Sequence, residues 1–437
     1  MLKLSFRNFV EKLEKENKLI KIKKEVLTDF EIANVLSTLD GEVVKFENVK
    51  DSNFPVIGNI VSSRELIADA LGIKKEQILA RLAYAINNLK EPEVVDEGPC
   101  QEIEENVDLT KLPILKYMPK DGGKYIASAV CIIKDPETGI RNSCFHRLML
   151  LDKNHFVARI VENRGTDTAL KKSGELDIAI CIGNSVSVLL AAATTLPMNV
   201  DELGMANALE ETKLVKCKTI DTEVPADSEF VLEGRILNKK VQEGPFLDIT
   251  ETYDRVRDQP VIEIKKITHR KNPIFHALLP GKGEHKLLMG MPKEPTIFNE
   301  VNKVCKCKNV LITPGGTSWL HAIVQIHKEN EDDGKKALEA AFKGHHSLKH
   351  CVVVDDDIDI YDLNEVEWSV ATRFQADKNA LILRDQPGSS LDPSGYQDPG
   401  KKALTAKAGI DATIPFGKTD KGFKKERYGK INLKDYL

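Results

Sequence analysis

Glu243-Gly244-Pro245-Phe246-Leu247-Asp248, running on through Thr250 and Tyr253 to Asp254, sets two acids five residues apart around a Gly-Pro bend. Pro245 fixes its own φ and pushes Gly244 out of the helical region, so the stretch reads as a loop that can present both carboxylates into one cavity. Two carboxylates held near each other let one stay ionised while the other carries a proton at neutral pH. The same hexapeptide also reads as a surface Gly-Pro turn with solvated acids. The choice between the two readings falls to the rest of the chain.

Around this loop, from about residue 100, the chain is a series of short β-rich runs separated by turn residues: Ser128 to Ile133, Arg147 to Leu151, His155 to Val161, Asp177 to Ile182, Glu229 to Gly234 and Val261 to Lys265. One helix is expected among them, at Val200 to Glu211. Many short strands with few helices point to a barrel or sandwich. Upstream, helical patterns at Phe6–Asn17, Asp29–Leu39, Arg64–Leu71 and Lys75–Ala85 alternate with strands, which marks a small α/β unit ending at the proline-marked linker near Glu91. After about residue 295 helices and strands alternate again, with helices at Thr296–Val304 and Lys335–Phe342 and strands at Val310–Thr313, Leu320–Ile326 and His350–Val354. The stretch from Pro387 to Thr405, rich in Gly, Ser, Pro and Asp, reads as a long ordered or lid-like loop.

A chain of 437 residues exceeds one ordinary core, so two or three domains are expected. Its 63 basic and 67 acidic residues are interspersed, and the net charge of -4 gives no reason to expect nucleic acid or an anionic membrane as the main partner. The N-terminal stretch has charges among its apolar residues and predicts an amphipathic helix rather than a signal peptide. The most apolar region, Ile178 to Leu196, is broken by Gly183-Asn184 and is too short to span a bilayer, so a cytoplasmic protein is expected. Eight cysteines, mostly in Val/Ile/Leu contexts, predict reduced and buried thiols, and Cys305-Lys-Cys307 has no second pair to complete a zinc site.

Asn142-Ser-Cys-Phe-His146-Arg147 enters a strand, where alternation places Asn142, Cys144 and His146 on one face and Ser143, Phe145 and Arg147 on the other unless a bulge re-aims one of them. Asn offers a neutral oxygen ligand, and Arg a planar, permanently charged fork for a carboxylate or phosphate. Arg159 and Arg164-Gly165 add two cations, suggesting an anion or a solvated charged edge. His345, His346 and His350 read as surface or packing residues, and Asp355 to Asp357 as capping or inter-domain contacts. There is no P-loop, no strand-anchored G-x-G-x-x-G, no H-E-x-x-H and no G-x-S-x-G, which removes the enzyme classes built on them.

Taken together, these segments resemble the UbiD family of non-oxidative decarboxylases, which use prenylated FMN. The resemblance runs along the whole chain: Phe46-Glu-Asn-Val, Phe54-Pro-Val-Ile-Gly-Asn and Ser63-Arg-Glu near the start, Asn142 to Arg147 as the family's N-x-x-x-x-R, and Arg159 to Gly165 after it. Glu243 to Asp248 is similar to its E-G-P-[FY]-x-[DE] signature, and Val353 to Asp357, Trp368, Thr372-Arg373 and Lys407 to Thr413 are similar to its C-terminal part. The resemblance implies a mixed α+β and α/β multidomain protein: an N-terminal α/β domain over 1–100, a central flavin-reductase-like split β-barrel over 101–295 and a C-terminal α/β oligomerisation domain over 296–437. It assigns Asn142 and Glu202 to a divalent ion, manganese foremost with K+ as a further ion. Phe145, His146, Arg147, Arg159, Ile160, Val161, Arg164 and Gly165 would line the prenylated FMN, and Arg147, Glu243 and Asp248 would form the catalytic set. Asp248 would be the general acid, with Glu243 tuning Arg147.

Three positions depart from the family pattern: Asn163 where many members carry His, Glu251 where Gly is common, and Asp248 where Glu also occurs. The compact chain is most similar to an archaeal branch acting on trans-anhydromevalonate 5-phosphate, and His146 or Lys282 would be the cations to meet that phosphate. A 4-hydroxy-3-polyprenylbenzoate or other aromatic acid decarboxylase is the second reading, and a flavin-binding protein without catalysis the third. The expected partners are a small unsaturated carboxylic acid, a flavin prenyltransferase as source of cofactor, and further copies of the chain in a dimer or hexamer.

Overall fold

Strands Val130–Lys134, Leu176–Ile182 and Phe230–Glu243 carry apolar runs, at 130–133, 178–182 and 230–232, without polar alternation because both faces of these runs are covered in the computed structural model. Val130, Ile132, Ala179, Cys181 and Val231 bury into one core, while Cys131, Ile133, Ile178, Ile180 and Leu232 bury into another. Doubly buried strands read as continuous apolar runs rather than as a period of two.

The structure describes residues 5–396, 403–418, 422–429, 431, 432, 434 and 436. They form two compact units, one running to Pro295 and including 314–319 and 391–393, the other made of the remaining C-terminal residues. The first unit opens with helix Phe6–Lys15, whose N-cap Ser5 accepts the Asn8 N–H and whose buried face is Phe6, Phe9, Val10 and Leu13. Strand Leu19–Ile22 pairs in parallel with Val43–Phe46, which pairs antiparallel with Val56–Gly58. The fourth strand of this sheet is Phe275–His276, returning from far along the chain to lie parallel to Val56–Gly58.

The larger sheet of the first unit has nine strands. Its path runs Tyr125–Ile126, Leu148–Leu150, His155–Ala158, Arg257–His269, Phe230–Glu243, Leu176–Ile182, Val130–Lys134, Arg141–Phe145, and Ile103–Glu105 joins at Arg257–His269. Every pairing along it is antiparallel, and the two ends of the path do not pair with each other. This half-barrel within a mixed α/β multidomain chain is the fold class expected from the sequence. Its longest element is the ribbon of Phe230–Glu243 against Arg257–His269, which ends at the pair Glu243↔Arg257.

The expected helix at Val200–Glu211 is Glu202–Leu209, N-capped by Asp201. Three more helices lie in the same part of the chain: Gly165–Ser173, Val186–Ala193 and Gly283–Gly290. The first is too polar to show an apolar stripe, and the second is buried over nearly its whole surface, so neither displays the helical period. The second unit carries a five-stranded sheet in the order Lys306–Ile312, His321–His327, His350–Asp355, Leu404–Asp411, Ala380–Pro387, with the three middle strands parallel. Asp355 to Asp357 do not cap a helix there, because Asp355 and Asp357 hold the buried Arg373 and Asp356 meets His327. Of the loop expected over 387–405, residues 397–402 lie outside the described residues, as do residues 1–4 of the expected N-terminal helix. Among the described residues no helix is long and apolar enough to cross a membrane, and the eight cysteines are all free.

Candidate active site

At the far end of the long ribbon the chain folds back on itself, pairing Phe246 with Asp254 and Leu247 with Tyr253. Gly244 makes the entry to this small hairpin with φ +97°, a backbone open to glycine and strained for other residues. Its carbonyl comes so close to Gly122 that a Cβ there would lie 2.2 Å from the oxygen, and the Gly122 N–H donates to the Pro245 carbonyl at 2.8 Å. The loop is thus fastened on both sides of its bend.

Arg147 lies where strand Arg141–Phe145 has ended and Leu148–Leu150 has not yet begun. Its Nε and one terminal nitrogen donate to the two oxygens of Glu243, each at 2.9 Å. The other terminal nitrogen donates to Asp248 at 2.7 Å, and Asp254 accepts a further bond at 2.9 Å. The guanidinium sits 4.8 Å above the Phe246 ring, a cation-π contact within the same loop. Burial works against the charge of Arg147, but Glu243, Asp248 and Asp254 outweigh it and raise its pKa above the ordinary arginine value.

The three acids are not equivalent. Glu243 is fully buried and also accepts from the Tyr125 hydroxyl at 3.2 Å. Asp254 is 6% exposed and bonded to Arg257 at 2.7 Å; burial alone would raise its carboxyl, but Arg257 and Arg147 hold it below the usual range. Asp248, at 13%, is the most exposed of the three, with one oxygen on Arg147 and the other accepting the Ile249 N–H at 2.7 Å. Beside it is His285, whose Nδ1 accepts the Gly281 N–H at 3.0 Å, leaving the proton on Nε2. Burial holds that imidazole below its usual range against the pull of Asp248.

A cleft of about 370 Å³ is lined by the Asn142–His146 segment. That volume is within the ~300–1,000 Å³ usual for small-molecule sites. Of the residues expected to line a cofactor or hold a metal, Asn142, Phe145, His146, Val161, Arg164, Gly165 and Glu202 line it. Arg147 belongs to the acid cluster described above. Arg159 is turned toward the Ile160 carbonyl and Glu162, and the Ile160 side chain is in the core. Neither lines this cleft.

Within the cleft wall, the Asn142 amide donates to Glu202 at 3.0 Å and the Ser143 N–H donates to the same carboxylate at 2.8 Å. Burial nevertheless pushes the Glu202 carboxyl up to about 7. Gly165 permits this packing, since a Cβ would lie 2.4 Å from Asn142 Oδ1. Ser143 Oγ is buried with no hydrogen-bond partner among the described residues. Asn163 lines the cleft with φ +58° while its Oδ1 is 3.4 Å from Lys171. His146 Nε2 lies 3.0 Å from the Thr166 hydroxyl, and burial pushes its imidazole down to about 4.

Several residues of the site carry no role in the sequence reading. Asp254 stands in the stretch quoted first, but nothing in its spacing announces that it faces Phe246 across a hairpin. Tyr125, Arg257 and His285 reach the cluster from separate elements. Lys293 is buried against Thr195 of the cleft wall, and burial together with the charge of Arg164 pushes its ammonium down to about 8. The one local signal was Thr194-Thr195 at the end of an otherwise apolar helical run.

The chain matches three domain families: the 3-octaprenyl-4-hydroxybenzoate carboxy-lyase N-terminal domain over residues 10–86, the Rift-related domain over 93–283 and the C-terminal domain over 286–412. It is 42% identical over 423 residues to the anhydromevalonate phosphate decarboxylase of Methanothermobacter thermautotrophicus, covering 95% of this chain and 98% of that one. Among solved structures, the UbiD-class enzyme HmfF from Pelotomaculum thermopropionicum in complex with FMN superposes with a TM-score of 0.94 at 38% identity, over 99% of this chain and 100% of that one. An evolved dimeric form of HmfF in complex with prFMN gives a TM-score of 0.90 at 36% identity, over 99% and 100% of the two chains.

Proposed function

The chain belongs to the UbiD family of carboxy-lyases, and from that premise we propose that it decarboxylates trans-anhydromevalonate 5-phosphate to isopentenyl phosphate and CO2 with prenylated FMN as cofactor. The observation that carries the chemistry is Arg147 bonded at once to Glu243 and Asp248, next to the cleft that begins at Asn142. The substrate rests on the near full-length similarity to the Methanothermobacter enzyme.

The cleft suits a flavin phosphate and its ion. Ser143 offers an unpaired hydroxyl and Arg164 a positive charge on the wall, with Lys293 behind it against Thr195. Asn142 and Glu202 are hard oxygen donors, and the buried Glu202 carboxyl gains from any cation that replaces its proton. They would hold the divalent ion, manganese by preference with K+ as a further ion, and the ion would neutralise Glu202 and the phosphate together. The prenylated flavin, when bound, supplies the electron sink for loss of CO2.

What the chain's own residues do follows from their positions. Arg147 is a fixed cation that orients the acid, and Glu243 with Asp254 fixes the guanidinium. Asp248, the acid nearest solvent in the cluster, delivers a proton to the carbon that has lost CO2. His285, whose proton sits on Nε2, stands beside Asp248 to replenish it. The division of the chain at 100/101 and 295/296 is kept in this reading, with a flavin prenyltransferase as the source of cofactor and a homo-oligomer as the working form.

The test is turnover. Enzyme matured with prenylated FMN is offered trans-anhydromevalonate 5-phosphate and, separately, a 4-hydroxy-3-polyprenylbenzoate. Isopentenyl phosphate and CO2 from the first are expected. CO2 from the aromatic acid alone would replace this substrate with the second reading.

A further inference from the structure

The turn that carries Asp248 is closed by Glu251, and Glu251 has a left-handed backbone, φ +58°, which a long side chain rarely adopts. Its N–H donates to the Asp248 carbonyl at 2.9 Å, and the Asp248 N–H donates to the Thr252 carbonyl at 3.1 Å, so the two acids are joined in one small rigid unit. Gly281 packs directly on that unit: a Cβ there would lie 3.2 Å from the Asp248 carbonyl oxygen and 3.2 Å from Glu251 Cγ.

From Gly281 the chain enters helix Gly283–Gly290. Its first turn sets Lys282 and Lys286 on the same carboxylate, with Lys286 Nζ paired to one Glu251 oxygen and Lys282 Nζ at 3.5 Å from the other. His285, in the same turn, is buried within electrostatic reach of Asp248 and Arg147. The Gly283 N–H at the helix start is already taken by Asp40, at 3.1 Å, so the free positive charge here belongs to the side chains. Lys282 is 33% exposed, Lys286 17% and Glu251 45%, an ion pair open enough to exchange with another anion. A phosphate monoester carries about -1.5 to -2 charge at neutral pH and three strong acceptor oxygens, more than the carboxylate it would replace.

We propose that Lys282 and Lys286 form the seat for the phosphate of the substrate, and that Glu251 is the counter-ion that keeps the two ammonium groups together until the phosphate displaces it. The proposal rests on the reading of the substrate as a phosphorylated unsaturated acid. Residues three apart in a turn have Cα atoms within about 7 Å, a span comparable with a pentenoic acid chain phosphorylated at its far end. A substrate whose reacting carbons lie at Asp248 is thus long enough to reach Glu251 with its phosphate. His146, the other cation expected to meet the phosphate, is buried and uncharged at neutral pH, and it is bonded to Thr166.

The experiment uses holoenzyme in wild-type form, as the double variant Lys282→Met/Lys286→Met and as Glu251→Gln. The first readout is the ratio of kcat/KM for trans-anhydromevalonate 5-phosphate to that for the same acid without phosphate. The ratio is expected to fall roughly 30-fold in the double variant, mainly through KM, as loss of two charge-assisted contacts dictates. The second is calorimetric titration with inorganic phosphate, expected to bind roughly tenfold more weakly to the double variant. Glu251→Gln should bind inorganic phosphate more tightly than wild type, because the competing carboxylate is gone; a merely structural latch would not give that gain. An unchanged ratio in the double variant, equal phosphate binding by all three proteins, or no phosphate binding by wild type overturns the seat. If the wild-type holoenzyme leaves the phosphorylated acid untouched, the substrate reading fails instead, and the phosphate titration alone decides the seat.

Discussion

Two arginines in this molecule are built from the same parts in two different settings. Arg147 lies over Phe246 with Glu243, Asp248 and Asp254 around it, and Arg373 in the second unit lies over Trp368 with Asp355 and Asp357 around it. The Arg373 side chain has no exposed surface, its Nε donates to the Phe423 carbonyl at 2.9 Å, and Asp355 also accepts the Ile414 N–H at 2.6 Å. Backbone groups thus pin Arg373 and Asp355, while Asp357 is 33% exposed. Around Arg147 the acids belong to one fastened hairpin, two cations face three carboxylates, and the third carboxylate, Asp248, reaches solvent. A buried arginine among carboxylates serves as a rivet at Arg373 and, in the proposed function, as part of a proton-handling site at Arg147. What separates the two is their setting: the acids of Arg147 lie around one fastened hairpin beside His285, and those of Arg373 lie at and just after the end of strand His350–Asp355, tied to the Phe423 and Ile414 backbone.

Removing each arginine tests that contrast most strongly. Arg147→Met and Arg373→Met each leave buried carboxylates without their cation, and each should lower the unfolding free energy by about 3–5 kcal/mol in denaturant melts. Decarboxylation should disappear in Arg147→Met and persist, per folded molecule, in Arg373→Met. Equal loss of kcat in both folded proteins would break the comparison.

A smaller effect separates the clusters by pH. Burial pushes the Asp355 carboxyl up to about 6, whereas Asp254 is held below its ordinary value by Arg257 and Arg147. For Asp355 the unfolded chain ionises first, so this group costs nothing near pH 4, and its cost grows to about 3 kcal/mol as the pH rises through 6. Asp254 has the opposite sign: its contribution is present above the unfolded value and is lost as the pH falls below it. Asp355→Asn should therefore gain about 3 kcal/mol on wild type between pH 4 and pH 7 in paired unfolding curves. A difference that does not vary with pH would remove this distinction.

Much of the fold was legible because it has local causes. Helix Arg64–Leu71 follows from its Ser63 cap and Gly72 stop, and the apolar strands are plain in composition. The strand Phe275–His276 was not legible, since two residues carry no period and their partner lies more than two hundred positions earlier. In the site, the residues of the Glu243 to Asp248 loop were picked out by their Gly-Pro bend, yet nothing local joins them to Arg147, about a hundred residues upstream. Resemblance supplied that connection. It did not supply Asp254, Tyr125 or His285, whose roles depend on a hairpin register and on packing between distant segments.

The proposed division of labour has Asp248 hand over the proton while Glu243 and Asp254 hold Arg147. It is tested most directly by Asp248→Asn in enzyme matured with prenylated FMN, with cofactor occupancy read by mass and CO2 release read from trans-anhydromevalonate 5-phosphate. Full occupancy with turnover reduced by about 10²–10⁴-fold is the predicted result. Turnover near that of wild type at full occupancy would contradict it.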